Sequence, residues 1–486
     1  MTPDFPQFLK RFAPMGPRAA RQTARKLRQA TLGQIEPRLA GFLPAFCLKN
    51  NPAHDHSRDR IYPLHRVFWC WLWQILQCNA ACREVVRQVQ MLFCLHGKSV
   101  DAGTSAYCQS RSKIPLALLH QWVSSSSQAA RKLIPSTAFL QARPLKAVDG
   151  SSVRLADTPK NQQLFPQPHS QHPGAGFPIM KMVALFCVAS GCLPACVTGN
   201  RFQSEVSLAG QLWPSLTRRD VLVSDRGFAS FVVVAWLQSL GVDLIARVPT
   251  RIRRIDFRKG RRLGSKDALF VWNKGKIRSR WLPLAQWMGL PQSLTVRILQ
   301  VRVCLPGLRV QTLILMTTLL DPKLYPAQQI AEAYRLRWRQ EMCFDDLKTT
   351  LHMAHLKSQT PVMAQKELCM LLIAHNLLRA LMVQAAVQAQ IKIEQISFKG
   401  TLDGFRQCSQ AMAQAKSKAK REALWEEFKR TLAADSLPHR PGRREPRAVK
   451  RIIKYPKLNC HRRLFKDRLN RNKRRSLKLK NEKSLI

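Results

Sequence analysis

The chain has 486 residues, and 80 Lys/Arg against 29 Asp/Glu give a formal charge of +51. Apolar residues make up 45%, enough to bury a sizeable core, which excludes a wholly disordered basic protein. A polyanion is the expected partner, nucleic acid before an anionic membrane surface.

Residues 1–140 read as helical and carry 19 Lys/Arg against 6 Asp/Glu. Arg18–Arg38 is basic with Leu27, Leu32 and Ile35 interleaved, and Val67–Phe93 is densely apolar without strand-like alternation. Thr104 stands where a helix over the following residues would be capped. From Pro144 the texture changes. Pro144–Leu155 is strand-like, and Met182–Asn200 reads as two buried strands broken at Gly191-Cys192-Leu193-Pro194 rather than as a membrane span. Ser204–Leu216 reads as a helix, Asp220–Ser224 as a buried strand, Phe228–Leu240 as a helix and Val242–Val248 as a strand. This order implies an α/β fold with a mixed sheet. Arg251–Arg280 holds 12 basic and 2 acidic residues, and strand-like pieces follow at Leu294–Cys304 and Val310–Leu319, so the region reads as a basic, β-rich insertion. Pro326 is expected to open one long helix. A further apolar helix spans about Lys366–Ala389, helical sequence continues to about Ala433, and a basic tail follows. Residues 440–486 hold 19 Lys/Arg against 3 Asp/Glu.

Fourteen cysteines are too dilute for a disulfide scaffold. Cys78 and Cys82 are four apart, as are Cys192 and Cys196, but neither pair has a second pair at zinc-site spacing. Reduced core thiols in a cytoplasmic protein are expected. The segment MTPDFPQFLKRFAPMG lacks the apolar stretch of a signal peptide.

The chemistry is expected in the few acidic residues. Asp149 follows Ala147-Val148 and precedes Gly150; Asp225 follows Val221-Leu222-Val223-Ser224 and precedes Arg226-Gly227. Each carboxylate sits where a buried strand meets a turn, a costly place unless it is paired or binds a metal. On one continuous helix with Tyr334 at 0°, Arg337, Glu341 and Lys348 fall at about 300°, 340° and 320°, a stripe about 60° wide. Asp345 lies beside it at about 20°, so geometry alone leaves Glu341 and Asp345 as alternative helix acids. Two strand-end carboxylates and one helix carboxylate suit Mg²⁺ and two-ion phosphodiester chemistry, with Arg337 and Lys348 holding neighbouring phosphates.

Tyr334-x2-Arg337-x3-Glu341-x6-Lys348 resembles the Y-R-E-K signature of insertion-sequence transposases of the IS4 family. Val148-Asp149-Gly150-Ser151-Ser152 and Ser224-Asp225-Arg226-Gly227-Phe228 are similar to that family's two Asp segments. There are 76 positions from Asp149 to Asp225 and 116 from Asp225 to Glu341. The longer gap matches a family with a β-rich domain inserted before the Glu helix. The resemblance implies an RNase H-like core whose D-D-E triad, Asp149, Asp225 and Glu341, binds two Mg²⁺ ions, with Mn²⁺ able to substitute. It gives Arg337 and Lys348 phosphates near the cleaved end to hold, and makes Tyr334 their support. It also implies a homodimer acting on double-stranded DNA, namely paired terminal inverted repeats and a target, and no membrane.

The expected organisation is a basic helical end-binding domain (1–140), an RNase H-like catalytic core in two parts (141–248 and 324–390) around a β-rich insertion (249–323), a helical C-terminal region (391–437) and a basic tail (438–486). Some relatives form a DNA hairpin and stack a flipped base on a Trp of the insertion. Gln311–Leu320 contains no Trp, which leaves Trp272, Trp281 and Trp287 upstream, each also readable as a core side chain. The rival functions are a metal-dependent nuclease without strand transfer, an inactive DNA-binding derivative, and a basic RNA- or membrane-associating protein.

Overall fold

The computed structural model describes residues 38–39, 41–43, 61–94, 99–135, 139–248 without 171 and 173, 255–303 without 280, 311–435 without 416, and 437. Almost all of the basic stretch Arg18–Arg38, the segments 249–254 and 304–310, and the tail from 438 lie outside these residues.

Among the described residues from Ile61 on, four helices lead: α1 (Leu64–Leu76), α2 (Cys82–Cys94), α3 (Ser105–Lys113) and α4 (Leu116–Lys132). In α1, Val67, Phe68, Trp69, Trp71, Leu72 and Ile75 are all buried, so apolar surface wraps most of the helix and places it inside the fold. Pro115 cannot continue α3 and instead opens α4. Thr104 precedes α3 as expected, but its side chain makes no capping hydrogen bond.

The chain then builds β1 (Leu145–Arg154), the short helix α5 (Pro159–Leu164), β2 (Ile179–Cys187), β3 (Ala195–Gly199), α6 (Glu205–Gly210), β4 (Val221–Ser224), α7 (Phe231–Ser239) and β5 (Asp243–Arg247). Thr158, Ser204 and Ser230 cap the three helices by accepting from the N–H three residues on. Helix α7 is rich in Val yet helical, because burial on the sheet decides its state over intrinsic propensity. The apolar run Met182–Asn200 does form two strands, and Gly191 supplies the positive φ of 74° at their turn.

β6 (Arg261–Gly264), β7 (Asp267–Asn273), the short α8 (Leu284–Met288), β8 (Ser293–Val303) and β9 (Gln311–Thr317) follow. All nine strands form one mixed sheet in the order β3-β2-β1-β4-β5-β9-β8-β7-β6. β4 lies parallel to β1 and to β5, and the other pairings are antiparallel. The basic β-rich segment therefore continues the central sheet past β5. Its fully buried Arg297 forms a two-pronged ion pair with Asp267, with nitrogen–oxygen distances of 2.8 and 2.5 Å, and donates to the carbonyl of Tyr325 at 2.7 Å. That contact fixes the chain just before the next helix.

α9 (Ala327–Arg335), α10 (Trp338–Asp345), α11 (Pro361–Ala389), α12 (Phe398–Gln414) and α13 (Lys418–Ala434) complete the described elements. The single long helix expected after Pro326 is in fact broken. Arg337, Arg339 and Gln340 bond three residues back, tightening the turn between α9 and α10, and Asp346–Thr350 widens into a π-helical turn. α11 is long and apolar enough to cross a membrane, but 89% of its apolar window is buried inside the fold.

Strand alternation feeds two cores. Ala147, Val223 and Ile245 face a core shared with α1, α4, α11 and α12, while Val148, Leu222 and Leu244 face one shared with α6 and α7. Asn376 of α11, fully buried, accepts from Leu193 N at 2.8 Å and donates to Leu193 O and Val123 O. It ties the helical block to the β2–β3 turn.

Candidate active site

Two carboxylates meet at the centre of the sheet. β1 and β4 pair in parallel with Leu145 opposite Val221 and Ala147 opposite Val223. Asp149 and Asp225 each follow that pairing by two residues, and they lie near enough for the charge of one to act on the other. Asp149 Oδ1 accepts from Gly150 N at 2.9 Å, and Oδ2 accepts from Gln340 Nε2 of α10 at 3.0 Å. Burial pushes the Asp149 carboxyl up to about 6. The Gly150 hydrogen bond and Arg337 oppose the shift, and the charges of Asp225 and Glu205 add to it. Asp225 caps the short turn Arg226–Phe228 by accepting from Gly227 N at 2.8 Å. Glu205, at the start of α6, lays its carboxylate against Gly150. A Cβ at position 150 would lie 2.5–2.9 Å from that group, so glycine leaves the room it occupies.

The Y-R-E-K residues approach from the other side. Tyr334 is buried near the end of α9, and burial raises its phenol pKa against the opposing pull of Arg337 and Arg247. Arg337 stands in the tight turn, 5.9 Å from the Tyr334 ring centroid, and donates to Glu341 Oε1 at 3.2 Å. The Glu341 side chain is 40% exposed and turned onto Arg337. Lys348 sits in the π-helical turn, where burial lowers its ammonium pKa while Asp149 draws it back up. Asp345 is exposed and accepts from Thr349 Oγ1 at 2.8 Å. The broken helix thus replaces the continuous stripe: Tyr334 lies inside, Glu341 is half-exposed and Lys348 is half-buried.

Asp149, Asp225, Arg337 and Lys348 therefore share one electrostatic neighbourhood, and Glu341 enters it through Arg337. Among the described residues no three His, Cys, Asp or Glu side chains already stand close enough to hold one ion. The donor set still fits Mg²⁺, which takes one or two carboxylates and fills its other positions with water and phosphate oxygen. The amide that meets Asp149 also carries an orphaned acceptor, the buried Oε1 of Gln340. Glu205 and Gln340 lie outside the signatures readable in the sequence. Gln340 had the signal of standing beside Glu341, and Glu205 that of following the N-cap Ser204.

The upstream tryptophans are core side chains. Trp281 stacks on Trp236 with ring centroids 6.1 Å apart, Trp287 is buried, and Trp272 packs partly into the same core. Trp338 on α10 is instead 61% exposed.

Residues 141–377 match the transposase DDE domain. Over 346 residues the chain is 27% identical to the transposase InsG of insertion sequence element IS4 from Escherichia coli K12, covering 68% of this chain and 72% of that protein. A stretch of 78 residues is 36% identical to the putative transposase InsL of IS186A from the same organism, covering 16% of this chain and 20% of that one. A solved piggyBac transposase synaptic complex with hairpin DNA covers 84% of this chain and 83% of its own, at a TM-score of 0.37 and 8% identity. With a transposase DDE domain over residues 141–377 and this likeness to the IS4 transposase, the chain is a DNA transposase of the DDE type, similar to those of the IS4 family.

Proposed function

We propose that this transposase cuts the ends of its own insertion sequence and joins the freed 3′-hydroxyls to target DNA, with Asp149, Asp225 and Glu341 as its metal-binding triad. The observation that carries this reading is that parallel β1 and β4 bring Asp149 and Asp225 near enough for their charges to interact, on a sheet ordered β3-β2-β1-β4-β5 at that end. Such a sheet, with acids on its two central parallel strands, supports an RNase H-like core. When bound, two Mg²⁺ ions, or Mn²⁺ in their place, supply Lewis-acid activation of the attacking oxygen and charge neutralisation at the leaving oxygen.

The chain's own residues bind and orient. Arg337 offers a planar fork and Lys348 a point charge to phosphates on either side of the scissile bond. A phosphate that takes Arg337 competes with Glu341 for it and frees the carboxylate to turn toward Asp149. Buried Tyr334 backs Arg337 and keeps it at the sheet. Trp338, exposed one turn before Glu341, presents the aromatic face that a displaced base needs. The basic helical block grips the element ends, the extended sheet and tail grip DNA backbone, and two copies pair the ends.

The test is a supercoiled plasmid carrying the element ends, incubated with the full chain and Mg²⁺. Excision with 3′-end joining is the expected result, and cutting without joining would instead identify a nuclease. Glu341→Gln should lose several kcal/mol of transition-state stabilisation, roughly 10³-fold in cleavage rate, with end binding by gel shift retained. Full cleavage by Glu341→Gln together with loss in Asp345→Asn would move the helix acid to Asp345.

A further inference from the structure

Gln340 is 2% exposed, stands directly before Glu341 on α10, and donates to Asp149 Oδ2 at 3.0 Å. A carboxylate only accepts, so the amide nitrogen must face it. Its other amide atom, Oε1, is buried with no hydrogen-bond partner among the described residues. An unmet buried acceptor is costly and calls for a donor. The same amide already touches the Asp149 carboxylate, so a donor held there is within its reach. The Asp149 carboxylate is fixed at both ends, Oδ1 by Gly150 N and Oδ2 by Gln340, which stops its rotation and leaves a lone pair free on each oxygen.

We propose that Gln340 is a positioning residue: its amide locks the Asp149 carboxylate of β1 to α10, and its free carbonyl oxygen accepts from water carried by a divalent cation at that carboxylate. This rests on the reading of Asp149 as a metal ligand. Groups that orient ligating carboxylates typically account for 10–100-fold in metal affinity. The contact also sets the distance between the strand bearing Asp149 and the helix bearing Glu341, so one side chain serves two members of the triad.

The test is Mn²⁺ binding followed by electron paramagnetic resonance, on the full chain with and without end DNA. Gln340→Met keeps the volume and removes both polar groups, and Gln340→Asn keeps the amide but cannot reach. Both should weaken Mn²⁺ binding by roughly 10–100-fold, while end-DNA binding in EDTA and the unfolding midpoint in EDTA stay near wild type. Gln340→His, whose Nε2–H has similar reach, should recover part of the affinity. A folded Met or Asn variant with wild-type Mn²⁺ affinity would overturn the proposal, as would a His variant no better than Met. Asp149→Asn in the same titration separates the two failures. Loss at Asp149 with none at Gln340 sinks this inference alone, whereas no loss at Asp149 sinks the reading of the site beneath it.

Discussion

Asp149 is a charge the fold holds at a cost. Its ordinary value is 3.8, and burial followed by repulsion from Asp225 and Glu205 brings it to about 6. That difference corresponds to about 3 kcal/mol, taken as an upper figure. Below about pH 3 both folded and unfolded chains carry the proton and nothing is lost. As pH rises toward 6 the unfolded chain ionises first, so folding stability falls, and above pH 6 the full cost is present. Asp149→Asn removes the charge and lets Gln340 turn its orphaned Oε1 toward the new amide. The variant should therefore be inactive yet more stable than wild type in EDTA, by up to about 3 kcal/mol at pH 8 and by only about 0.5 kcal/mol at pH 4. Urea unfolding at the two pH values measures it, and equal stability at pH 8 would show that Asp149 is not strained. Adding Mg²⁺ at pH 8 should close the gap, because only the wild-type carboxylate gains from the cation. The sequence expects both acids where a strand meets a turn; Asp225 does follow β4, but Asp149 lies in the middle of β1, because the strand runs on through Gly150 to Arg154 in pairing with β2. Glu205 and Gln340 reach the site only through tertiary packing, and no spacing rule reports that.

At the scale of elements, the segment from α9 to the π-helical turn shows what the sequence could and could not tell. Tyr334, Arg337, Glu341 and Lys348 were legible as a set, but their phase was not, because 100° per residue holds only for an unbroken α-helix. Tight bonds at Arg337–Gln340 and the wide turn at Asp346–Thr350 each shift the phase. The wide turn is held by packing that the sequence does not display. Arg379 of α11, buried, pairs with Asp346 at 2.8 Å and packs against Gly191, while Cys343 Sγ donates to Gly191 O at 3.4 Å. Burial raises Asp346 to about 6 despite the Arg379 charge. Breaking a buried pair from one side strands the other charge, at about 3–5 kcal/mol. Arg379→Met should cost that much at pH 8 and clearly less at pH 5, where unpaired Asp346 takes a proton. It should also depress cleavage, because the turn that carries Lys348 loses its anchor. A pH-independent loss of stability would mean that Arg379 acts through packing alone.

For the whole molecule, the charge of +51 divides between what the fold presents and what lies outside the described residues. The proposed site at the sheet calls for only a few cations, Arg337 and Lys348 foremost. Residues 440–486, with 19 Lys/Arg against 3 Asp/Glu, carry +16 and leave +35 on the rest of the chain. In the proposed function, charge placed far from the three carboxylates does not shape the chemical step; its role there is to raise the local concentration of DNA and resist its release. Its signature is counterion release, so log K for duplex of random sequence should fall linearly with log salt, by about 0.9 per phosphate contact. A chain ending at residue 439 should bind such duplex with a shallower slope, each lost contact removing about 0.9. Its cleavage of pre-bound ends at low salt should stay near that of the full chain, because the matched transposase domain ends at residue 377. Fluorescence anisotropy over a salt series compares the two slopes. Coincident slopes would assign the grip to the basic helical block and the extended sheet, and would leave the tail's +16 outside DNA binding altogether.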